Sequence, residues 1–355
     1  RARAAVGRGV CAGAAGPPVA VVWRTGRDVR GSALDGTGAR PLLRLPDERG
    51  VGATPSPDGR HVALSYDDRL LVSDLDAGGA VRDLGAVARD ADVVRWAPDG
   101  RRIAVVADER LIVCEAGPER RGCRVWARGV SAETGASWSP DGTGVVVVRQ
   151  VAGRRGGDED LVVTTTDGAT SRDLDRLRPR GSRFPYPYPP VWARPGPAWT
   201  VLDLRLKDGE LAGILRSRVR AVRDGAARTL SSVSLAHTNA LPFFVAAERP
   251  DGVLLGIRER YLRKGAAYDL RTIDPAGRFA PAGLVLGSFR QGMEDEDVDV
   301  HGVLADGRVA VTLRPPDTRR LALHLGTSGG GLGPVVRRGD EIAVATAFPG
   351  NPVGD

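Results

Sequence analysis

A four-residue turn occurs three times in the first half of the chain, and its even spacing constrains the fold more than any other feature. The copies occupy residues 56–59, 97–100 and 139–142, and all have Pro-Asp-Gly at their last three positions. Their prolines lie 41 and then 42 residues apart, and a short apolar run follows each copy. A fixed period of this length indicates a repeat architecture built from one small unit.

Each unit is predicted to contain four short strands. In residues 54–90, the first turn is followed by apolar segments at 61–64 and 70–72, a second turn at 76–78 and a last segment at 81–84. An Asp-Gly pair between extended segments favours a type I′ hairpin, in which both central residues have positive φ. The unit is therefore predicted to be a four-stranded antiparallel meander.

Several of these strands are apolar at consecutive positions, as in residues 103–106 and 145–148. Strict alternation would indicate one solvated face, whereas a continuous apolar run indicates a sheet covered on both faces. Sheets packed face to face around an axis meet this condition. The predicted fold class is therefore all-β, a single β-propeller of four-stranded antiparallel blades.

Two copies of the turn carry a preceding tryptophan. They read Trp-Ala-Pro-Asp-Gly at Trp96 and Trp-Ser-Pro-Asp-Gly at Trp138, and each precedes an apolar strand. These segments resemble the repeat of TolB-like, WD40-like (PD40) propellers. The copy at Pro57 lacks the tryptophan, and the later repeats diverge further. The resemblance implies a propeller fold, with six blades in TolB itself.

The blade count follows from the two ends of the chain. The later turns, at 192–196, 249–252 and 305–307, lie about 55 residues apart. Residues 19–36 supply the later strands of a first blade without an innermost strand, and residues 341–346 form a strand left over after the last repeat. Pairing of this strand into the first blade would close the ring and remove two exposed edges. This count gives seven blades, with six as the alternative.

We expect residues 1–15 to be an N-terminal extension, 16–350 the propeller and 351–355 a C-terminal tail. In such blades the turns after the first and third strands lie on one face of the disc, the turn face. The connections after the second and fourth strands lie on the other, the insertion face. The repeated aspartates are interpreted as turn formers. The longer irregular insertions, at 149–160, 177–190, 292–299 and 315–320, fall on the insertion face, and loops on a rigid scaffold are where binding residues concentrate.

The predicted partner-binding residues come from three of these insertions. Residues 184–190 alternate aromatic residues with proline, which holds a chain extended and presents rings at low entropic cost. The alternative for this segment is a plug that packs its own rings into the mouth of the propeller. The full predicted set is Phe184, Tyr186, Tyr188, Arg154, Arg155, Asp295 and Asp297.

No metal or cofactor is expected, apart from a weak Ca²⁺ candidate at Asp295, Asp297 and Asp299. Ca²⁺ takes six to eight oxygen ligands, but the spacing does not match an EF-hand loop, so a solvated acidic loop is favoured. The four histidines are far apart and indicate no zinc site.

One segment resembles a catalytic motif. The residues around Ser328 fit the Gly-x-Ser-x-Gly pattern of hydrolases, but no histidine follows them in the 355-residue sequence, so a triad is not expected.

Cys114 and Cys123 are predicted to form a disulfide, because they lie at two strand ends that face each other across a hairpin. A disulfide implies an oxidising compartment, so an extracytoplasmic location is expected. Cys11 is left without an assigned role.

The net charge is +7, but it comes from arginines interpreted as scattered, which favours a solvated surface over a nucleic-acid partner. No apolar run reaches the ~18 residues of a membrane span.

The sequence therefore favours a non-catalytic extracytoplasmic propeller that binds a protein or a cell-envelope component through its insertion face. Two alternatives stay open. The first is a propeller hydrolase or lyase acting on a glycan or peptide, with Asp295 and Asp297 near the axis. The second is a structural subunit of a larger extracellular assembly.

Overall fold

The strands of the protein form seven antiparallel sheets. The computed structural model describes residues 18–45, 51–66, 68–76, 80–87, 93–117, 122–131, 134–153, 159–193, 195–208, 210–235, 240–249, 252–262, 265–289, 298–304, 307–314, 320–327 and 332–345. Six of the sheets have four strands, and the fifth along the chain has an innermost strand divided into two short pieces.

Each sheet is one blade, and its strands run in chain order from the innermost outward. The first four blades contain β1 (Val21–Thr25), β2 (Asp28–Ser32) and β3 (Arg40–Arg44); β4 (Val51–Pro55), β5 (His61–Tyr66), β6 (Arg69–Asp74) and β7 (Ala80–Ala86); β8 (Val93–Trp96), β9 (Arg102–Ala107), β10 (Arg110–Glu115) and β11 (Cys123–Arg128); and β12 (Ala136–Trp138), β13 (Val145–Ala152), β14 (Glu159–Thr166) and β15 (Ser171–Leu177). The last three contain β16 (Arg183–Pro187), β17 (Val191–Trp192), β18 (Pro197–Lys207), β19 (Glu210–Arg223) and β20 (Ala226–Ser234); β21 (Ala240–Glu248), β22 (Leu254–Leu262), β23 (Gly265–Ile273) and β24 (Phe279–Phe289); and β25 (Val298–Val303), β26 (Val309–Leu313), β27 (Leu321–Gly326) and β28 (Leu332–Gly339). The exception to chain order is the last strand, β29 (Glu341–Val344), which completes the first blade.

The ring is closed by β29. This strand pairs antiparallel with β1, with Val344 opposite Val21 and Ile342 opposite Trp23, so it supplies the innermost strand that the first blade lacks. Without this pairing the first blade would have three strands and β29 would have no partner, and such unpaired strands invite pairing with another chain. The prediction of a single seven-bladed propeller closed by the C-terminal strand is confirmed, and the six-bladed alternative is wrong.

The core of the described residues is divided into seven clusters, one at each interface between neighbouring blades. The packing of β13 explains why its first four residues, 145–148, are all apolar. Val145 and Val147 pack toward the third blade, whereas Val146 and Val148 pack toward Trp199 in the fifth. Because successive side chains of a strand point to opposite faces, a blade between two neighbours needs apolar residues at both parities.

The repeated Pro-Asp-Gly turns differ from the type I′ geometry predicted for them. The Gly59 N–H donates to the Ser56 carbonyl at 2.9 Å, which places Pro57 and Asp58 at the two central positions. Gly59 has a φ of +67°, whereas Asp58 is absent from the residues with positive φ. This is a type I turn followed by a left-handed glycine, because proline fixes φ near −65° at the first central position. The type I′ turn itself occurs at Asp224 and Gly225, where φ is 51° and 75°.

The turn aspartates hold their own loops together. The Ser139 hydroxyl donates to Asp141 Oδ1 at 2.5 Å, the Thr143 N–H donates to the same oxygen at 3.0 Å, and the Gly144 N–H donates to Ser139 Oγ at 2.9 Å. The hydrogen bond from Ser139, followed by the one from the Thr143 backbone, lowers the pKa of Asp141. These carboxylates are therefore structural parts of the turn.

The tryptophans of the repeat connect one blade to the next. Trp96 Nε1 donates to the Thr54 carbonyl at 2.9 Å, and Trp138 Nε1 donates to the Arg95 carbonyl at 3.0 Å. In both pairs the indole belongs to one innermost strand and the carbonyl to the innermost strand of the preceding blade. A buried indole N–H needs a partner, so each tryptophan fixes the position of its blade relative to its neighbour.

The structure contains the predicted disulfide between Cys114 and Cys123. The two cysteines are directly opposite each other in the register of β10 and β11, the third and fourth strands of the third blade. The bridge therefore closes a hairpin on the turn face of the propeller.

Candidate functional site

The segment that carries the predicted aromatic residues is a strand rather than a free insertion loop. Residues 183–187 form β16, which pairs with β18 so that Tyr186 lies opposite Leu202 and Pro187 lies opposite Val201. Together with β17, it makes the innermost strand of the fifth blade. The expectation of a loop across residues 177–190 is therefore wrong over this part. An innermost strand is a sheet edge, where proline is tolerated because no second neighbour needs its missing N–H.

The three predicted aromatic side chains are half-buried. Phe184 packs against the apolar cluster between the fourth and fifth blades. Tyr188 lies with its ring centroid 4.1 Å from that of Phe244 and 5.6 Å from that of Tyr186, and its N–H donates to the Thr200 carbonyl at 2.9 Å. The rings therefore pack against the propeller itself, as in the alternative of a plug that contacts its own blades.

The remaining predicted residues contribute no described side chain. Arg154 and Arg155 lie outside the described residues, as do Asp295 and Asp297, which were expected near the axis in the enzyme alternative. Asp299, the third residue of the calcium candidate, lies in the innermost strand β25, opposite Thr312. Ser328 also lies outside the described residues.

The structure places a cavity of about 620 Å³ between the fourth and fifth blades. Its wall is formed by the end of β15, the start of β16, the middle parts of β18 and β19 and the end of β20. The ends of β15 and β20 and the start of β16 are on the insertion face. The residues that line it are Asp175, Arg176, Leu177, Arg178, Arg180, Arg183, Pro185, Asp203, Leu215, Arg216, Arg218, Arg220 and Ser234. Seven of these residues are arginines and two are aspartates, so the cavity is strongly basic.

One ion pair in the cavity wall connects the two blades. Arg220 on β19 lies with Nε 2.7 Å from Asp175 Oδ2 on β15, and its Nη2 donates to Asp175 Oδ1 at 3.1 Å. Both side chains are mostly buried, with 16% and 12% of their surfaces exposed. Burial raises the pKa of Asp175, and the charges of Arg220 and Arg218 partly oppose that rise.

Further arginines are paired with aspartates in the same wall or directly behind it. Arg218 Nη2 donates to Asp203 Oδ1 at 2.5 Å. Asp160 has a side chain that is only 7% exposed, and its Oδ2 lies 3.2 Å from Arg176 Nη1 and 3.5 Å from Arg178 Nε. These pairs fix the positions of the guanidinium groups, since paired and buried arginines lose most of their rotational freedom.

Three arginines of the wall are not neutralised in this way. Among the described residues, the side chains of Arg180, Arg183 and Arg216 make no hydrogen bond and no ion pair, and all three residues are exposed. Arg216 lies opposite Asp203 in the register of β18 and β19, but the carboxylate of Asp203 is bound by Arg218. The cavity therefore presents unpaired positive charge beside rigidly held guanidinium groups.

The interpretation of the arginines as scattered misses this cluster. A signal is present in the sequence: Arg216, Arg218 and Arg220 occur at every second position of a strand. That spacing places three guanidinium groups on one face of a sheet. The other group of arginines, at 176–183, lies close to residues 216–220 only because the fourth and fifth blades are adjacent.

No group of three or more metal-ligating side chains lies together within the part of the chain that the structure describes. In the same residues no helix is long and apolar enough to cross a membrane.

The fold and the cavity define the chain as a seven-bladed β-propeller with an arginine-lined cavity on its insertion face. No protein-family model and no curated protein matches the sequence. The predicted resemblance to TolB-like propellers is confirmed at the level of the fold, which the seven antiparallel blades show directly.

Solved structures with similar folds share little sequence with this chain. A functionally unknown protein from Desulfotomaculum acetoxidans matches with a TM-score of 0.54 and 12% identity, over 92% of this chain and 98% of that one. The tricorn protease matches with a TM-score of 0.53 and 10% identity, over 87% of this chain but only 33% of its own. TolB from Acinetobacter baumannii is also similar, with a TM-score of 0.46, 13% identity and coverage of 92% and 83%. At these identities the likeness concerns the fold alone.

Proposed function

We propose that the protein is a non-catalytic, extracytoplasmic binding propeller that recognises a protein or a cell-envelope component through its insertion face. The observation that carries this proposal is the arginine-lined cavity, which includes residues of the connection between the fourth and fifth blades on that face. A guanidinium group stays protonated at any ordinary pH, so it can attract and orient a partner but cannot exchange protons with it. The two carboxylates of the wall, Asp175 and Asp203, are engaged by arginines.

The aromatic strand β16 borders this cavity and extends the proposed surface. Arg183 and Pro185 line the cavity, and Phe184 lies between them in sequence. Tyr186 and Tyr188 follow further along the innermost edge of the fifth blade. Aromatic residues and arginine are enriched at the centres of protein interfaces, so a charged cavity beside half-buried rings fits a surface for a partner.

The extracytoplasmic location is supported by the Cys114–Cys123 disulfide. Disulfides of this kind form and persist in oxidising environments and are rare in the cytosol.

The proposal is tested by capture of partners from the native source under non-reducing conditions. The variant to compare is Arg180→Ala/Arg183→Ala/Arg216→Ala, which removes three exposed cations from the cavity wall. A matched control replaces three exposed arginines of the turn face, Arg60, Arg101 and Arg228, and so removes the same charge.

We expect the cavity variant to lose the captured species and the control to retain it, with both proteins unfolding at the wild-type temperature. Capture that is equal in the two variants would show that the insertion-face cavity is not the binding surface.

A further inference from the structure

We propose that the arginine-lined cavity is a subsite for a multiply charged oxyanion, a phosphate or pyrophosphate ester group. This inference rests on the proposed function, because it names the chemical group that the partner would present to the cavity. The group is carried either by a free small molecule or by an envelope glycan, and both sources present the same oxyanion.

The first argument is the distribution of charge. The described aspartates around the cavity bind Arg176, Arg178, Arg218 and Arg220, and they leave Arg180, Arg183 and Arg216 without a carboxylate partner. Like charges that line a common cavity repel one another, and the low-dielectric wall strengthens that repulsion. An anion that enters the cavity removes this repulsion and gains the attraction of all three cations.

The second argument is the pre-organisation of the wall. Arg218 and Arg220 are held by Asp203 and Asp175 at 2.5 and 2.7 Å, so this part of the wall is already fixed and does not need to be ordered by a ligand. The Nε atom of Arg218 is buried and has no hydrogen-bond partner among the described residues. Binding costs less when the receptor groups are already in place.

The third argument concerns the kind of anion. A carboxylate carries one charge on two oxygens, whereas a phosphate monoester carries close to two charges on three acceptor oxygens. The planar fork of arginine pairs with such groups through two parallel hydrogen bonds. Three unpaired forks therefore match a phosphate or pyrophosphate better than a single carboxylate.

The fourth argument is size. The cavity of about 620 Å³ lies within the range of roughly 300–1,000 Å³ found for small-molecule sites. It is larger than a bare phosphate ion requires, so it can also hold part of the molecule that carries the phosphate. Leu177, Pro185 and Leu215 supply apolar surface in the same wall for that part.

The experiment is isothermal titration calorimetry of the full chain at fixed ionic strength, with sodium pyrophosphate as the first probe. We expect saturable binding of pyrophosphate and no comparable heat from acetate at equal concentration. Arg180→Ala and Arg216→Ala should each weaken binding by about tenfold or more, which corresponds to about 1.4 kcal/mol for a charge-assisted hydrogen bond. Arg228→Ala on the turn face should leave the affinity unchanged. Equal affinity for acetate, or equal affinity in the wild type and both cavity variants, would overturn the proposal.

The two sources are separated by competition. A sugar phosphate and a polymer of sugar phosphates are each added to the pyrophosphate complex. If the sugar phosphate displaces pyrophosphate and the polymer is no more effective per phosphate group, the source is a free small molecule. If the polymer is much more effective per phosphate group, the source is an envelope glycan.

Failure of this inference is distinguishable from failure of the proposed function. If partner capture depends on the three arginines but pyrophosphate neither binds nor competes, the oxyanion assignment is wrong and the binding face stands. If capture is independent of the arginines while pyrophosphate binds to them, the proposed partner surface is wrong and the oxyanion subsite stands.

Discussion

Reduction of the Cys114–Cys123 bridge should lower the stability of the propeller by an amount that follows from the size of the loop it closes. The two cysteines are nine residues apart in sequence. In the loop-entropy model, a cross-link across about nine residues stabilises the folded state by about 2.5 kcal/mol at 25 °C. The entropy of unfolding is about 2.1 cal/mol/K per residue, so for 355 residues the loss corresponds to a fall in Tm of about 3–4 °C.

The assay is thermal unfolding followed by circular dichroism, with and without a phosphine reductant. Thiol titration in denaturant checks the state of the disulfide in each sample. One free thiol, from Cys11, is expected before reduction and three are expected after it. The Cys114→Ala/Cys123→Ala variant is the control, and its Tm should be low and unaffected by reductant. An unchanged wild-type Tm, in a sample with three titrated thiols, would refute the reasoning that this bridge stabilises the hairpin through loop entropy.

Three other predictions follow from particular contacts. Ser139→Ala removes the hydroxyl that donates to Asp141, so the free energy of unfolding measured in urea should fall by about 1 kcal/mol. The lowered pKa of Asp141 should then move up toward 3.8 in a carboxyl NMR titration. As the control, Ala97→Ser places a hydroxyl at the equivalent position of another repeat and should not destabilise the protein. Burial raises the pKa of Asp175, so the native state binds more protons than the unfolded state. The free energy of unfolding should therefore decline as pH rises above 3.8. Asp175→Asn should remove this pH dependence, and an identical pH dependence in the variant would contradict the prediction. Ile342→Ala empties a buried position in the closing strand, so unfolding in urea should show a loss of about 2–5 kcal/mol, whereas a loss below about 0.5 kcal/mol would argue against closure by β29.

The architecture could be predicted from the sequence because it is specified by a short motif that recurs along the chain. A Pro-Asp-Gly turn specifies a hairpin from four consecutive residues, and its recurrence specifies the blade. The runs at 103–106 and 145–148 then indicate sheets covered on both faces, which only neighbouring blades can provide. Even the non-local closure by residues 341–346 follows from counting, since one strand is missing at one end of the chain and one is left over at the other.

The detailed turn geometry was harder to predict, because the Asp-Gly pair occurs in two different turns. Where proline precedes the pair, as at Pro57, the proline fixes a negative φ and the turn is type I with the glycine following it. Where the pair alone joins two strands, as at Asp224, both residues take positive φ. The residue before the aspartate decides between the two geometries.

The segment around Tyr186 was predicted to be part of an irregular insertion. The prediction fails because the innermost strand of a propeller blade has a neighbour on one side only. Pro185 and Pro187 sit in that edge strand and lie opposite residues of β18. Sequence alone does not say which strand of a sheet is its edge until the order of the blade is known.

The cavity could not be predicted as a site, because its two halves are about 40 residues apart and belong to different blades. Each half is visible in the sequence as closely spaced arginines, at 176–183 and 216–220. What joins them is the packing of the fourth blade against the fifth, together with the ion pair from Arg220 to Asp175 across that interface. The charge cluster therefore forms only when the two blades pack side by side in the ring.

The longer repeat spacing in the second half of the chain has a physical meaning in the structure. In the second blade, β5 and β6 have six residues each, whereas β18 and β19 in the fifth have 11 and 14. A six-residue strand that began at Pro197 would end at Leu202, one residue before Asp203. The cavity residues Asp203 and Arg216, which lie opposite each other, therefore belong to the added length. Because the added residues lie toward the insertion face, lengthening the two strands leaves the hairpins of the turn face in place and builds part of the wall of the cavity. The same repeat that forms the ring thus gains part of a cavity wall where its strands are extended.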